Sequence, residues 1–85
     1  MTDPALERKL SGLPHVVAFV ACRMRVAAGL SQRVMAERTG IHRPIIARIE
    51  AGRHLPRLIT LRRYAKACGA PITDFAAAID AHLGL

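Results

Sequence analysis

Glycine interrupts this chain at residues 12, 29, 40, 52 and 69, and at four of those five places a proline follows within four residues. Glycine ends helices readily, and proline is tolerated in a first helical turn but not in a helix interior. No ordered element can therefore be long. Between the breakers the apolar residues recur at helical spacing, and no stretch shows strand alternation. The expectation is an all-α domain of five short helices. They run from about His15 to Ala28, from Gln32 to Arg38 or Thr39, from Ile41 or His42 to Glu50 or Ala51, from Leu58 to Ala67, and from Asp74 to His82. Ser31 and Thr73 are placed to cap the second and the last. Residues 14–85 form the domain, and residues 1–13 form an arm or a short helix around Ala5–Leu10.

The same periodicity picks out the core. Val34 and Met35, with Ala36 as a small packing residue, face inward from the second helix, and Ile45, Ile46 and Ile49 from the third. Leu58, Leu61, Tyr64 and Ala65 form a stripe on the fourth, and Phe75 and Ile79 do so on the fifth. The run Val16–Cys22 is apolar all round, so it requires cover on more than one side. Residues 1–12 or a second subunit would provide it, and the stretch Phe75–Ile79 raises the same need. A dimer satisfies both; a monomer with a docked N-terminal arm is the alternative.

At 85 residues the chain buries roughly 60–65% of its unfolded surface, enough for one core and for no small-molecule sensor. No apolar run reaches the ~18 residues of a membrane span, and the acidic start lacks the apolar centre of a signal peptide. Cys22 and Cys68 have no short-spaced partner or nearby histidine. They read as reduced packing residues rather than a disulfide or zinc site, consistent with a cytoplasmic protein. No nucleophile, base and orienting group stand at plausible spacing, no carboxylates pair for catalysis and no glycine-rich phosphate loop is present. An enzyme is not expected, nor a cofactor or metal.

Charge is concentrated. Residues 23–66 hold eleven of the thirteen basic residues against two acids, Glu37 and Glu50, while the flanks are slightly acidic. Eleven of the thirteen are arginine, the side chain suited to forked recognition of phosphates and base edges. An anionic partner at the middle of the chain is implied. The basic residues belong to several short helices, which argues against a membrane surface. Thr39-Gly40-Ile41 joins two short helices as the turn of a helix-turn-helix does. In that motif the second helix enters the DNA major groove with its N-terminal residues foremost.

Several spaced elements then agree. Arg25-Val26-Ala27-Ala28-Gly29-Leu30-Ser31-Gln32, Met35-Ala36, Thr39-Gly40-Ile41 and Ile46-Ala47-Arg48-Ile49-Glu50-Ala51-Gly52 together resemble the phage repressor and Cro type of helix-turn-helix, the Xre family. Pro56 and the run Leu61 to Phe75 continue the likeness, which covers about residues 16–80. The resemblance implies a compact, five-helix, lambda-repressor-like domain that binds a palindromic operator as a homodimer. It places Gln32 on a phosphate and Arg43 and Pro44 at base-reading positions. Arg43 could read guanine O6 and N7. Pro44 and Ala47 offer apolar contact, and Arg48 reaches a base or a phosphate. Arg53, His54 and Arg57 follow the reading helix as phosphate clamps, and Arg33, or Arg38, could contribute from the helix before it. Arg25 and Glu50 match positions that form an internal salt bridge. His42 departs from the serine or threonine usual at the cap, although it could itself touch phosphate. Val34 stands where a reciprocal capping box needs an acid or amide.

The leading expectation is a sequence-specific regulator of transcription, most simply a repressor of its own or a neighbouring promoter. The alternatives are an antitoxin that binds a toxin and autoregulates their operon, and an architectural protein that binds all sequences alike.

Overall fold

A computed structural model describes residues 3–84. Met1 and Thr2 of the 1–13 segment, and Leu85 of the 14–85 segment, lie outside the described residues. Six helices follow one another: α1 (Pro4–Ser11), α2 (Leu13–Ala27), α3 (Gln32–Thr39), α4 (Arg43–Glu50), α5 (Leu58–Ala67) and α6 (Ile72–Leu83). The described residues contain no strand. The class is all-α, with one helix more than the five expected. The addition is α1, the short-helix alternative for residues 1–13, capped by the Asp3 carboxylate on the Ala5 N–H at 3.0 Å.

The core forms where α2 packs on α4 and α6, α3 on α4 and α5, and α5 on α6. Val17, Val20 and Ala21 meet Met35, Ile46, Ile49, Tyr64, Ala65 and Phe75 there, all nearly or fully buried. Each large apolar side chain taken from water contributes about 1.5–3 kcal/mol. The Tyr64 and Phe75 rings meet edge to face at 6.4 Å between centroids. Leu58 is not part of this core: it stands 72% exposed. It is the first residue of α5, and only from Leu61 onward does that helix turn its apolar stripe under α3 and α6. Thr73 does not cap α6 either. The helix already begins at Ile72, with the extended Pro71 at the cap position and no side-chain cap.

Helix α2 is covered only in part. Phe19 remains 44% and Val26 60% exposed. Phe19 is flanked instead by His82, edge-on at 4.8 Å, and by the Arg23 guanidinium 5.4 Å above its ring. Helix α1 buries none of its residues, and its Lys9 ammonium donates to the Gly84 carbonyl at 3.2 Å. No single helix among the described residues is long and apolar enough to cross a membrane.

Candidate nucleic-acid interface

Helix α3 starts at Ser31, whose hydroxyl accepts from the Val34 N–H at 3.1 Å. It is a one-way cap, because Val34 has nothing to return. The helix stops at Gly40, whose φ of 71° lies in the left-handed region and whose N–H still donates to the Ala36 carbonyl. An L side chain there would strain the backbone. Thr39 completes the turn: its hydroxyl donates to the Met35 carbonyl at 2.7 Å and accepts from the Ile41 N–H at 3.1 Å. Helix α4 then begins after His42, which has extended backbone angles and makes no side-chain cap. Pro44, second in the helix, needs no N–H partner there.

At 3.6 residues per turn, α4 divides cleanly. Ile46 and Ile49 are buried, Ile45 and Glu50 lie on the same inner side, and Arg43, Pro44, Ala47 and Arg48 form an exposed outer strip. Gly52 ends the helix, and the Arg53 N–H closes back on the Arg48 carbonyl at 3.0 Å. Arg53, His54 and Arg57 are all exposed in the loop before α5, with Arg57 at the α5 cap position. The structure therefore brings the α4 strip, His42 and the basic loop together around one short element. Arg33 stands exposed on α3, engaged with Glu37 one turn on at 2.8 Å. Arg38 points elsewhere, its guanidinium near the Ala67 carbonyl at 3.4 Å.

Behind the strip lies a polar knot. Arg25 on α2 grips Glu50 at the end of α4, with Nε to Oε2 at 2.8 Å and Nη2 to Oε1 at 2.8 Å. Its Nη1 donates to the Leu30 carbonyl at 2.7 Å. The two side chains are 13% and 5% exposed, so the pair is largely withdrawn from water. Glu50 also accepts from the Tyr64 hydroxyl on α5 and, at 3.4 Å, from the Gln32 amide nitrogen on α3. Burial alone would raise the Glu50 carboxyl, but the bonds from Arg25, Tyr64 and Gln32 outweigh it and hold the group below the ordinary value. Tyr64 is pushed up, first by burial and then by its bond to Glu50. Arg25 is driven up by its bond to Glu50. Burial also raises both thiols, so Cys22 and Cys68 are poor nucleophiles.

Tyr64 and Thr39 contribute hydroxyls that periodicity does not reveal. The periodicity places Tyr64 in the apolar stripe and gives its hydroxyl no partner. The available signal was chemical: a buried tyrosine needs a partner for its O–H, and Glu50 closes the neighbouring helix. The sequence places Thr39 in the turn but gives its hydroxyl no partner, although a threonine just before a turn glycine has a hydroxyl free to tie that turn.

Comparison with known proteins agrees with this geometry. Over 45 residues the chain is 44% identical to an uncharacterised HTH-type transcriptional regulator from Methanothermobacter thermautotrophicus. The match spans 53% of this chain and 65% of that protein. A helix-turn-helix domain profile matches residues 22–78, which contain α3, the Gly40 turn, α4 and the knot beneath them. By fold, by the geometry of that turn and by this match, the chain belongs to the helix-turn-helix domain family.

Proposed function

We propose that this chain binds double-stranded DNA with α4 in the major groove and regulates transcription. The observation that carries this reading is the division of α4. Its inner side is locked into the core, while its outer strip is solvent-facing and flanked by arginines. A helix is ~10–12 Å across and the groove ~12 Å wide. Arg43 reads a guanine edge, Pro44 and Ala47 lie against thymine methyls, and Arg48 contacts a base or the backbone. His42, Arg53, His54 and Arg57 hold phosphates on either side. Gln32 joins them by exchanging its long contact with Glu50 for a phosphate, and Arg33 by releasing its exposed partner Glu37. With few polar readers, DNA shape supplies part of the specificity.

The likeness to the phage repressor and Cro type supports a homodimer on a palindromic operator, acting in the cytoplasm as a repressor of its own or a nearby promoter. Exposed Phe19 and Val26 on α2 favour one second reading. They would seat a protein partner such as a toxin, and the chain would be an antitoxin. Both roles are binding functions that need no catalysis.

The test is a titration with DNA from upstream of the protein's own gene against a shuffled fragment of equal composition, near physiological salt. Autoregulation predicts binding tighter by roughly 10³-fold or more to the native fragment. Equal affinity for both would overturn it. Co-purification with a small partner encoded next door would select the antitoxin reading.

A further inference from the structure

A second basic feature lies outside the α4 strip and the basic loop that follows it. Between the last turn of α3 and the C-terminal half of α5 is an open cleft of about 420 Å³, lined by Arg38, Thr39, Arg63, Lys66 and Ala67. Three exposed cations converge on it, no carboxylate lines it, and none of the three is in an ion pair among the described residues. Glu37, the acid nearest in sequence to Arg38, is taken by Arg33 at 2.8 Å. Helix dipoles account for Arg38 and Lys66, each in the last turn of its helix. They do not account for Arg63, one turn earlier on the same side of α5.

We propose that this cleft docks an acidic segment of a partner protein. Position and backbone chemistry favour that occupant over a phosphate. The ends of α3 and α5 assigned to DNA are their N-termini, at Gln32 and Arg57. The cleft lies at the other ends, roughly 10–13 Å along each helix. Helix C-termini present carbonyls, which disfavour a compact dianion; phosphate sites are built from N–H groups. An extended acidic peptide fits both features. Its carboxylates meet the lysine and the arginine forks, drawing Arg38 off the Ala67 carbonyl, which its backbone N–H groups can then take as an acceptor. DNA and the acidic partner would thus be held at opposite ends of the same two helices.

The probe is a short fluorescein-labelled polyglutamate peptide, followed by anisotropy with the full chain. An Arg63→Ala/Lys66→Ala variant should weaken binding by about fivefold to tenfold, as loss of two partly exposed ion pairs implies. Arg43→Ala/Arg57→Ala should leave the peptide affinity within about twofold and impair duplex binding instead. Equal weakening by both variants would reduce the effect to general charge attraction and overturn the proposal. So would loss of duplex binding in the cleft variant, displacement of the peptide by an equal concentration of inorganic phosphate, or no binding at all. Amide shift mapping on the unsubstituted chain is independent of how the variants fold. Shifts at residues 38, 39, 63, 66 and 67 support the proposal, and shifts confined to 33 and 40–43 overturn it.

Discussion

Glu50 accepts hydrogen bonds from Arg25, Gln32 and Tyr64, which stand on three different helices. Removing the carboxylate would leave the Arg25 guanidinium withdrawn from water with no anion beside it. Glu50→Ala should therefore lower the unfolding free energy by about 3–5 kcal/mol, measured by urea denaturation. Tyr64→Phe removes one bond to a charged acceptor and should cost about 1.5–3 kcal/mol. The pH dependence has a definite sign at each end. The folded state lowers the Glu50 value, so its contribution is complete above the ordinary 4.5 and is lost as pH falls through the depressed native value. It raises the Tyr64 value, so that contribution is complete below the ordinary 10.0 and is lost as pH rises through the elevated native value. Stability should thus show a broad plateau between these limits. Tyr64→Phe should remove the tyrosine share of the alkaline limb, leaving the share of the raised Cys22 and Cys68 thiols, and should shrink the acid limb without abolishing it, because Arg25 still lowers Glu50.

Two glycines terminate the elements of the motif, and their surroundings differ. At Gly40 a Cβ would meet open space, so Gly40→Ala should cost only the left-handed backbone, about 1–2 kcal/mol. At Gly52, with φ of 73°, a Cβ would come within 2.8 Å of the His15 Nδ1. Gly52→Ala should cost more than Gly40→Ala, and His15→Ala should restore the difference, read from thermal unfolding of the double variant. Breakers of this kind made the elements legible from sequence: α3, its turn, α4 and α5 lie where Ser31, Gly40, Pro44, Gly52 and Gly69 place them. Thr73 misled because a capping side chain has no claim on a helix that Pro71 already starts. Leu58 misled because periodicity shows which residues share a face but not whether the first of them reaches the partner helix. In the site, period alone separates Arg43, Pro44, Ala47 and Arg48 from Ile46 and Ile49. It could not show that Gln32 leans on Glu50 or that Arg33 is occupied by Glu37, because those depend on rotamers and on distant parts of the chain.

For the molecule as a whole the surface charge sets the terms of DNA binding. The logarithm of affinity should fall steeply and linearly with the logarithm of salt concentration. Arg57→Ala should weaken binding to all sequences alike and flatten that slope by about one, whereas Arg43→Ala should cost about 1–3 kcal/mol and relax the preference at one base pair. In a dimer the two α4 helices should lie about 34 Å apart, so footprinting should protect half-sites one helical turn apart. Sedimentation should show a mass that rises with concentration, and Phe19→Asp should suppress that rise if the exposed part of α2 is the contact. The split character of α4 reaches further than binding. The four outer side chains make no hydrogen bond within the chain among the described residues, while the knot around Glu50 and the buried isoleucines hold the helix from behind. On the proposed reading, stability and address are thus written on different residues. Exchanging the outer strip should then retarget the protein to a new sequence without refolding it, with the knot left as it stands.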